Sequence, residues 1–245
     1  MTAEHIWPQW LEDVIPRYYA RTDHHVTAWN MAPRTQRATK NRAIATTKRV
    51  CGPCNSGWMS QLEQAVKPLI VGPIAGRPAT FDAAAQTTIA TWAIKTAMTL
   101  GLSFPGENPI PSEHYRLMAA QQQPPPNTTV LTIGYTGREY SHIGVWKALS
   151  MVRAGEDKPD LPNTYVTTIS AGHFVFQVLG STIELPELPK RATALRAVSD
   201  YIWPLQGKPI QWPPGPTIGD EHLLAIAYTA VTGTYKPTPD YARPS

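Results

Sequence analysis

The chain has 245 residues, 42% of them hydrophobic and 16% charged, with two cysteines and a formal net charge of +4. This length and apolar share allow one large domain or two small ones with a real core, and exclude a disordered chain. No run of 18 apolar residues exists, no basic-then-apolar leader opens the chain, and two cysteines are too few for a secreted disulfide scaffold, so the expectation is a cytoplasmic protein without membrane contact.

The predicted elements follow in chain order. Glu4 to Pro8 reads as a strand or turn. Gln9 to Ile15 reads as a short helix ended by Pro16, since the residue before a proline avoids helical backbone. Residues 20–42 are polar and irregular, with a hairpin strand around His25–Trp29. Ala43–Val50 alternates β-branched residues and predicts a strand. Cys51 to Cys54 predicts a tight turn, and Asn55 opens a helix through Val66 whose Trp58, Leu62, Val66 and Leu69 form an apolar stripe. Gly72–Pro78 reads as a linker.

Phe81–Leu102 is the strongest helix pattern, alanine-rich with Ile89, Trp92, Ala93, Thr96 and Leu100 on one face. A shorter helix is expected over Ser112–Ala120. Antiparallel strands are expected at Thr128–Tyr135, Ile143–Val152, Tyr165–Ser170 and Phe174–Leu179. Helices are predicted at Arg191–Ile202 and Asp220–Val231. Trp203-Pro204 and Trp212-Pro213 read as chain turns, and the proline-rich tail from Lys236 as a frayed end. The fold class is α+β.

Charge is unevenly spread. Residues 1–59 carry the whole excess of +4, and the remaining 186 residues are neutral overall. Within 17–49, Arg17, Arg21, Arg34, Arg37, Lys40, Arg42, Lys48 and Arg49 face only Asp23. Such a strip suits a polyanion.

Beside that strip lie residues able to hydrolyse a phosphodiester. The reaction needs a base for water and a cation for the charge building on phosphate. In Glu4-His5 the two side chains diverge, so one can hold metal while the other addresses water. Asn55, opening a helix, can offer its amide oxygen. A carboxylate plus an amide oxygen is a hard, sparse set that suits Mg²⁺ or Mn²⁺. Cys51 and Cys54, three apart, read as half of a structural Zn²⁺ site or as a redox pair.

Glu4-His5-Ile6-Trp7-Pro8, followed by Val50-Cys51-Gly52-Pro53-Cys54-Asn55-Ser56-Gly57-Trp58, resembles the HNH (ββα-metal) endonuclease family, closest to variants ending in asparagine. The resemblance covers about residues 1–66. It implies a ββα-metal module there, with Glu4 and Asn55 as metal ligands, His5 as general base and Asn41 orienting that base. Residues 75–245 are then a mixed helical and antiparallel β region of unassigned role.

The implied activity is cleavage of DNA, with Arg34, Arg37, Lys40, Arg42, Lys48 and Arg49 gripping phosphates. It would act in the cytoplasm, the host's if the chain is phage-encoded. Many family members add a second Cys-x-x-Cys ahead of the acid-His pair, which is not present before Glu4. Three arrangements stay open: a pair supplied upstream, completion by His24 or His25, or thiols that merely pack. Two further readings are a non-catalytic nucleic-acid-binding protein and a homo-oligomer with zinc held across its interface.

Overall fold

A computed structural model describes residues 2–8, 10–14, 24–26, 37–39, 46–102, 110–140, 144–149, 163–182, 195 and 197–229. The described side chains exclude those of residues 2–4, 12, 24–26, 37–39, 46, 48, 145–149 and 228–229.

The N-terminal elements are β1 (Thr2–His5), α1 (Leu11–Val14), β2 (His24–Val26), β3 (Arg37–Thr39) and β4 (Thr46–Val50). β1 pairs antiparallel with β4, setting Glu4 opposite Thr47 and His5 opposite Thr46. β2 pairs with β3, setting Val26 opposite Arg37. After β4 the chain makes one helical turn, α2 (Gly52–Cys54), where a tight turn was expected. A π turn at Asn55–Met59, kinked at Gly57, then leads into α3 (Ser60–Ile74).

α3 runs three residues into the Gly72–Pro78 segment expected to be a linker, with Pro68 and Pro73 inside the helix. Each internal proline costs about 3 kcal/mol of helix stability. Val66, Ile70 and Ile74 are completely buried on the same helix. At roughly 1.5–3 kcal/mol apiece, their burial is large enough to offset the breakers. The far end is also tied down, because Ile74 O accepts a hydrogen bond from His173 N at 3.0 Å. Gly172 makes that approach possible: its φ is +57°, and a Cβ there would lie 2.3 Å from Ile74 O.

The remaining elements are β5 (Ala79–Phe81), α4 (Ala83–Gly101), α5 (Ser112–Gln121), β6 (Thr128–Gly134), β7 (Gly144–Leu149), β8 (Thr164–Ala171), β9 (Phe174–Ser181), β10 (Ser199–Trp203), β11 (Ile210–Trp212) and α6 (Asp220–Thr229). Five strands form one antiparallel sheet in the order β10-β6-β9-β8-β7. The molecule is therefore α+β, as the composition of elements predicts. β5 and β11 form a separate pair, and Trp203-Pro204 and Trp212-Pro213 are cis bonds.

The expected helix at Arg191–Ile202 is replaced, in its described part, by β10. Ser199 to Tyr201 pair with Ile133 to Leu131 of β6. An open edge on a buried strand overrides weak local helix propensity.

α4 starts where Asp82 caps it by accepting from Ala85 N at 2.8 Å. It lies between α3 and the sheet, and Trp92 meets Phe176 edge-on at 5.2 Å between centroids. Ile6, Trp7 and Leu11 belong to the same core as Val66, Ile94, Phe174 and Ile202. A smaller cluster joins Ile133 and Val175 to Leu223 and Ile226 of α6. Strands β6, β8 and β9 are buried on both faces. Some of their polar residues bond within the sheet, as where Gln177 Nε2 donates to Thr168 Oγ1 at 2.8 Å. Among the described residues, no helix is long and apolar enough to cross a membrane.

His114 on α5 and Tyr165 on β8 form a buried pair, Nδ1 to hydroxyl 3.1 Å. Burial holds the imidazole below its ordinary value, opposed in part by the neighbouring Glu113 charge. An unfolded histidine titrates near 6.5. The unfolded chain therefore takes up a proton that the folded chain refuses, and the stability due to neutral His114 is full above about pH 6.5 and lost as pH falls below it. We expect the melting temperature to fall on acidification from pH 7.5 to 5.5. His114→Gln should flatten part of that fall. An unchanged slope would show that His114 does not carry it.

Candidate functional site

His5 ends β1, and Asn55 begins the π turn that follows the Cys pair. Asn55 is placed by its backbone, whose N–H donates to Cys51 O at 3.0 Å, and by Ser56 Oγ, which donates to Gly52 O at 2.9 Å. The two residues arrive from elements separated by fifty positions in sequence. They line one cleft of about 580 Å³, which also takes in Pro8, Trp10, Ser60, Glu63 and Lys67. His5 and Asn55 are both half-buried.

Cys51 caps the helical turn, its Sγ accepting from Cys54 N at 3.0 Å. The two sulfurs are joined as a disulfide, with Cα atoms 5.2 Å apart. A disulfide sulfur is not a thiolate and does not bind zinc, so a zinc role belongs to the reduced pair alone.

Other predicted residues are placed less completely. Glu4 lies on β1 beside His5, with its side chain outside the described set. Arg49 is exposed on β4. Lys48 sits on the same strand and Arg37 on β3, and only their backbone positions are described. Asn41, Arg34, Lys40, Arg42 and the tail from Lys236 lie outside the described residues. Of the aromatic residues near the motif, Trp7 is core and Trp58 packs against the core. Trp10 is half-buried, lines the cleft and holds Lys67 Nζ 5.6 Å from its ring centroid.

Glu63 was not picked out from sequence. It lines the cleft, and its Oε1 accepts from Lys95 Nζ at 2.6 Å. Lys95 is 2% exposed and Glu63 23%. The ammonium reaches the carboxylate from inside the core and neutralises the cleft wall from behind. A signal did exist: Lys95 is the sole formal charge in an alanine-rich helix, and a fully buried lysine needs a partner.

Among the described residues, no three His, Cys, Asp or Glu side chains gather as a metal site. The cleft does bring together an imidazole, an amide oxygen and a carboxylate in His5, Asn55 and Glu63. With Glu63 held by Lys95, the lining group of the type a hard divalent ion takes is the Asn55 amide oxygen, and Glu4 stands beside His5 on β1. Compared with family models, with curated proteins and with solved structures, the chain has no match.

Removing Glu63 takes away the carboxylate to which Lys95 Nζ donates. Glu63→Ala should destabilise the fold by about 3 kcal/mol, the low end for a broken buried pair because one partner is partly solvated. Lys95→Met should cost less, since the carboxylate can reach water. The double variant Glu63→Gln/Lys95→Met should recover most of the loss in urea denaturation. If Glu63→Ala and Lys95→Met instead cost the same and add, the pair contributes no coupling.

Proposed function

We propose that this chain is a metal-dependent nuclease of the HNH type acting on DNA. The supporting observation is that His5 and Asn55, the two most informative residues of the motif, line the same cleft. The order of elements is compatible with the reading: a strand ending in His5, its antiparallel partner, the Cys pair, then a helix.

In this reading His5 takes the proton from the attacking water. Its half-buried place at the end of a paired strand, on the lining of the cleft, supports that role. Asn55, with Glu4, would hold a Mg²⁺ or Mn²⁺ ion, which when bound supplies Lewis-acid neutralisation of the phosphate charge. Pairing of Glu63 with Lys95 keeps the cleft wall from repelling the phosphate. Arg49 is the exposed cation on β4, and Arg34, Arg37, Lys40, Arg42 and Lys48 complete a basic strip that would draw in the backbone.

The test is nicking of a supercoiled plasmid with Mg²⁺ or Mn²⁺. General-base catalysis contributes on the order of 10²- to 10⁴-fold. His5→Ala should therefore reduce the rate at least a hundredfold, and Asn55→Ala should raise the metal concentration needed for half-maximal rate. Undiminished cleavage by His5→Ala overturns the assignment of the base. Salt-dependent binding without cleavage under any divalent ion would make the protein a binder of nucleic acid and not a nuclease.

A further inference from the structure

The cleft has a second end, away from Asn55. One face of the helical segment walls it, with Ser56, Ser60, Glu63 and Lys67 recurring every three or four residues. At 1.5 Å per residue, Asn55 to Lys67 spans up to about 18 Å. Asn55 stands at the start of this run. Lys67 and Trp10 stand together at its end.

The charge pattern along the run fits a polyanion. Glu63 lies midway and would repel phosphate if unpaired, but Lys95 neutralises it at 2.6 Å. The net positive charge of the wall therefore falls at Lys67, with the Ser60 hydroxyl between it and Asn55, the Ser56 hydroxyl being donated to Gly52 O. Hydroxyls and an ammonium are donors for phosphate and sugar, and an aromatic ring is a platform for a base. A space of about 580 Å³ is of the size that encloses small ligands, not a duplex.

We propose that the Trp10–Lys67 end is a second nucleotide subsite. There Lys67 leaves the Trp10 ring it lies over to meet a backbone phosphate, and the ring face it uncovers takes a base or sugar of the strand whose scissile bond lies at His5. The proposal rests on the nuclease reading and sharpens it: the substrate is a single strand or an unpaired segment. One phosphate per 3.4 Å of stacked strand makes the span at most roughly five nucleotides, of which a cleft of about 580 Å³ encloses only part.

The experiment is fluorescence anisotropy of labelled DNA of two, four, six and eight nucleotides, and of a short hairpin duplex. It uses the full chain in EDTA so that no cleavage occurs. Affinity should rise from two to six nucleotides and then level off, and the six-mer should bind at least tenfold more tightly than the hairpin. Lys67→Gln should weaken the six-mer about fivefold, leave the dinucleotide unchanged and lower the salt slope by about 0.7, the value for one phosphate on a single strand. Trp10 also packs against the core, so Trp10→Phe is the companion variant. It keeps a ring there and should weaken the six-mer by a smaller factor.

Equal binding of all lengths by wild type and Lys67→Gln overturns the subsite. A hairpin bound as tightly as the six-mer overturns the strand preference. Either result alongside wild-type plasmid nicking overturns this proposal alone. A wild type that neither binds nor nicks DNA overturns the nuclease reading with it.

Discussion

α4 is enclosed almost throughout, and it carries a single formal charge, Lys95. An ammonium 2% exposed must be paired, because an isolated buried charge costs far more than a helix can supply. Glu63 is the carboxylate that answers it. One ion pair thus fixes the rotation of α3 against α4, since a carboxylate one position away along α3 would point about 100° elsewhere. Once that rotation is set, Val66, Ile70 and Ile74 face the core, and Ser60, Glu63 and Lys67 line the cleft. Core packing and site composition are consequences of one registration.

The same helix joins the N-terminal motif to the five-stranded sheet. α3 begins at the motif and finishes against the β8–β9 turn, where Ile74 O meets His173 N. Ile6, Trp7 and Leu11, which follow β1, share a core with residues of that sheet. His5, at the end of a two-stranded ribbon, gains support that such a ribbon lacks alone in water. The flanking Ile6 and Trp7 are buried in that shared core, so the residue proposed as base stands beside rigid neighbours.

Much of the fold is legible locally. The alanine-rich pattern of α4, the β-branched runs of β6, β8 and β9, and the order of strand, Cys turn and helix around Asn55 all follow from period and propensity. Two of the errors share a cause. α3 was expected to stop before Gly72 because Gly and Pro break helices, and it continues because burial of three aliphatic side chains outweighs them. β10 was expected to be helical because Arg191–Ile202 has no strong β signal, and it is a strand because β6 offers it hydrogen bonds. The Cys51–Cys54 segment was expected to be a tight turn and is instead the first turn of a helix. For α3 and β10 a distant partner decided what the local sequence left nearly balanced, whereas the Cys51–Cys54 turn is set by local bonds from Cys54 N to Cys51 Sγ and from Asn55 N to Cys51 O.

For the site, the sequence by itself determined the chemistry on offer: a histidine beside a carboxylate, an asparagine at a helix start, two cysteines three apart and a basic strip. Residue types and spacings are covalent facts, and they limit what reactions the chain can support. Only the tertiary structure decided that His5 and Asn55 share a cleft, that Glu63 and Lys67 belong to it, and that Lys95 neutralises Glu63 from behind. Those relations join residues that are tens of positions apart. They depend on how a helix buried on all sides is rotated against its neighbour, and no local pattern encodes that angle.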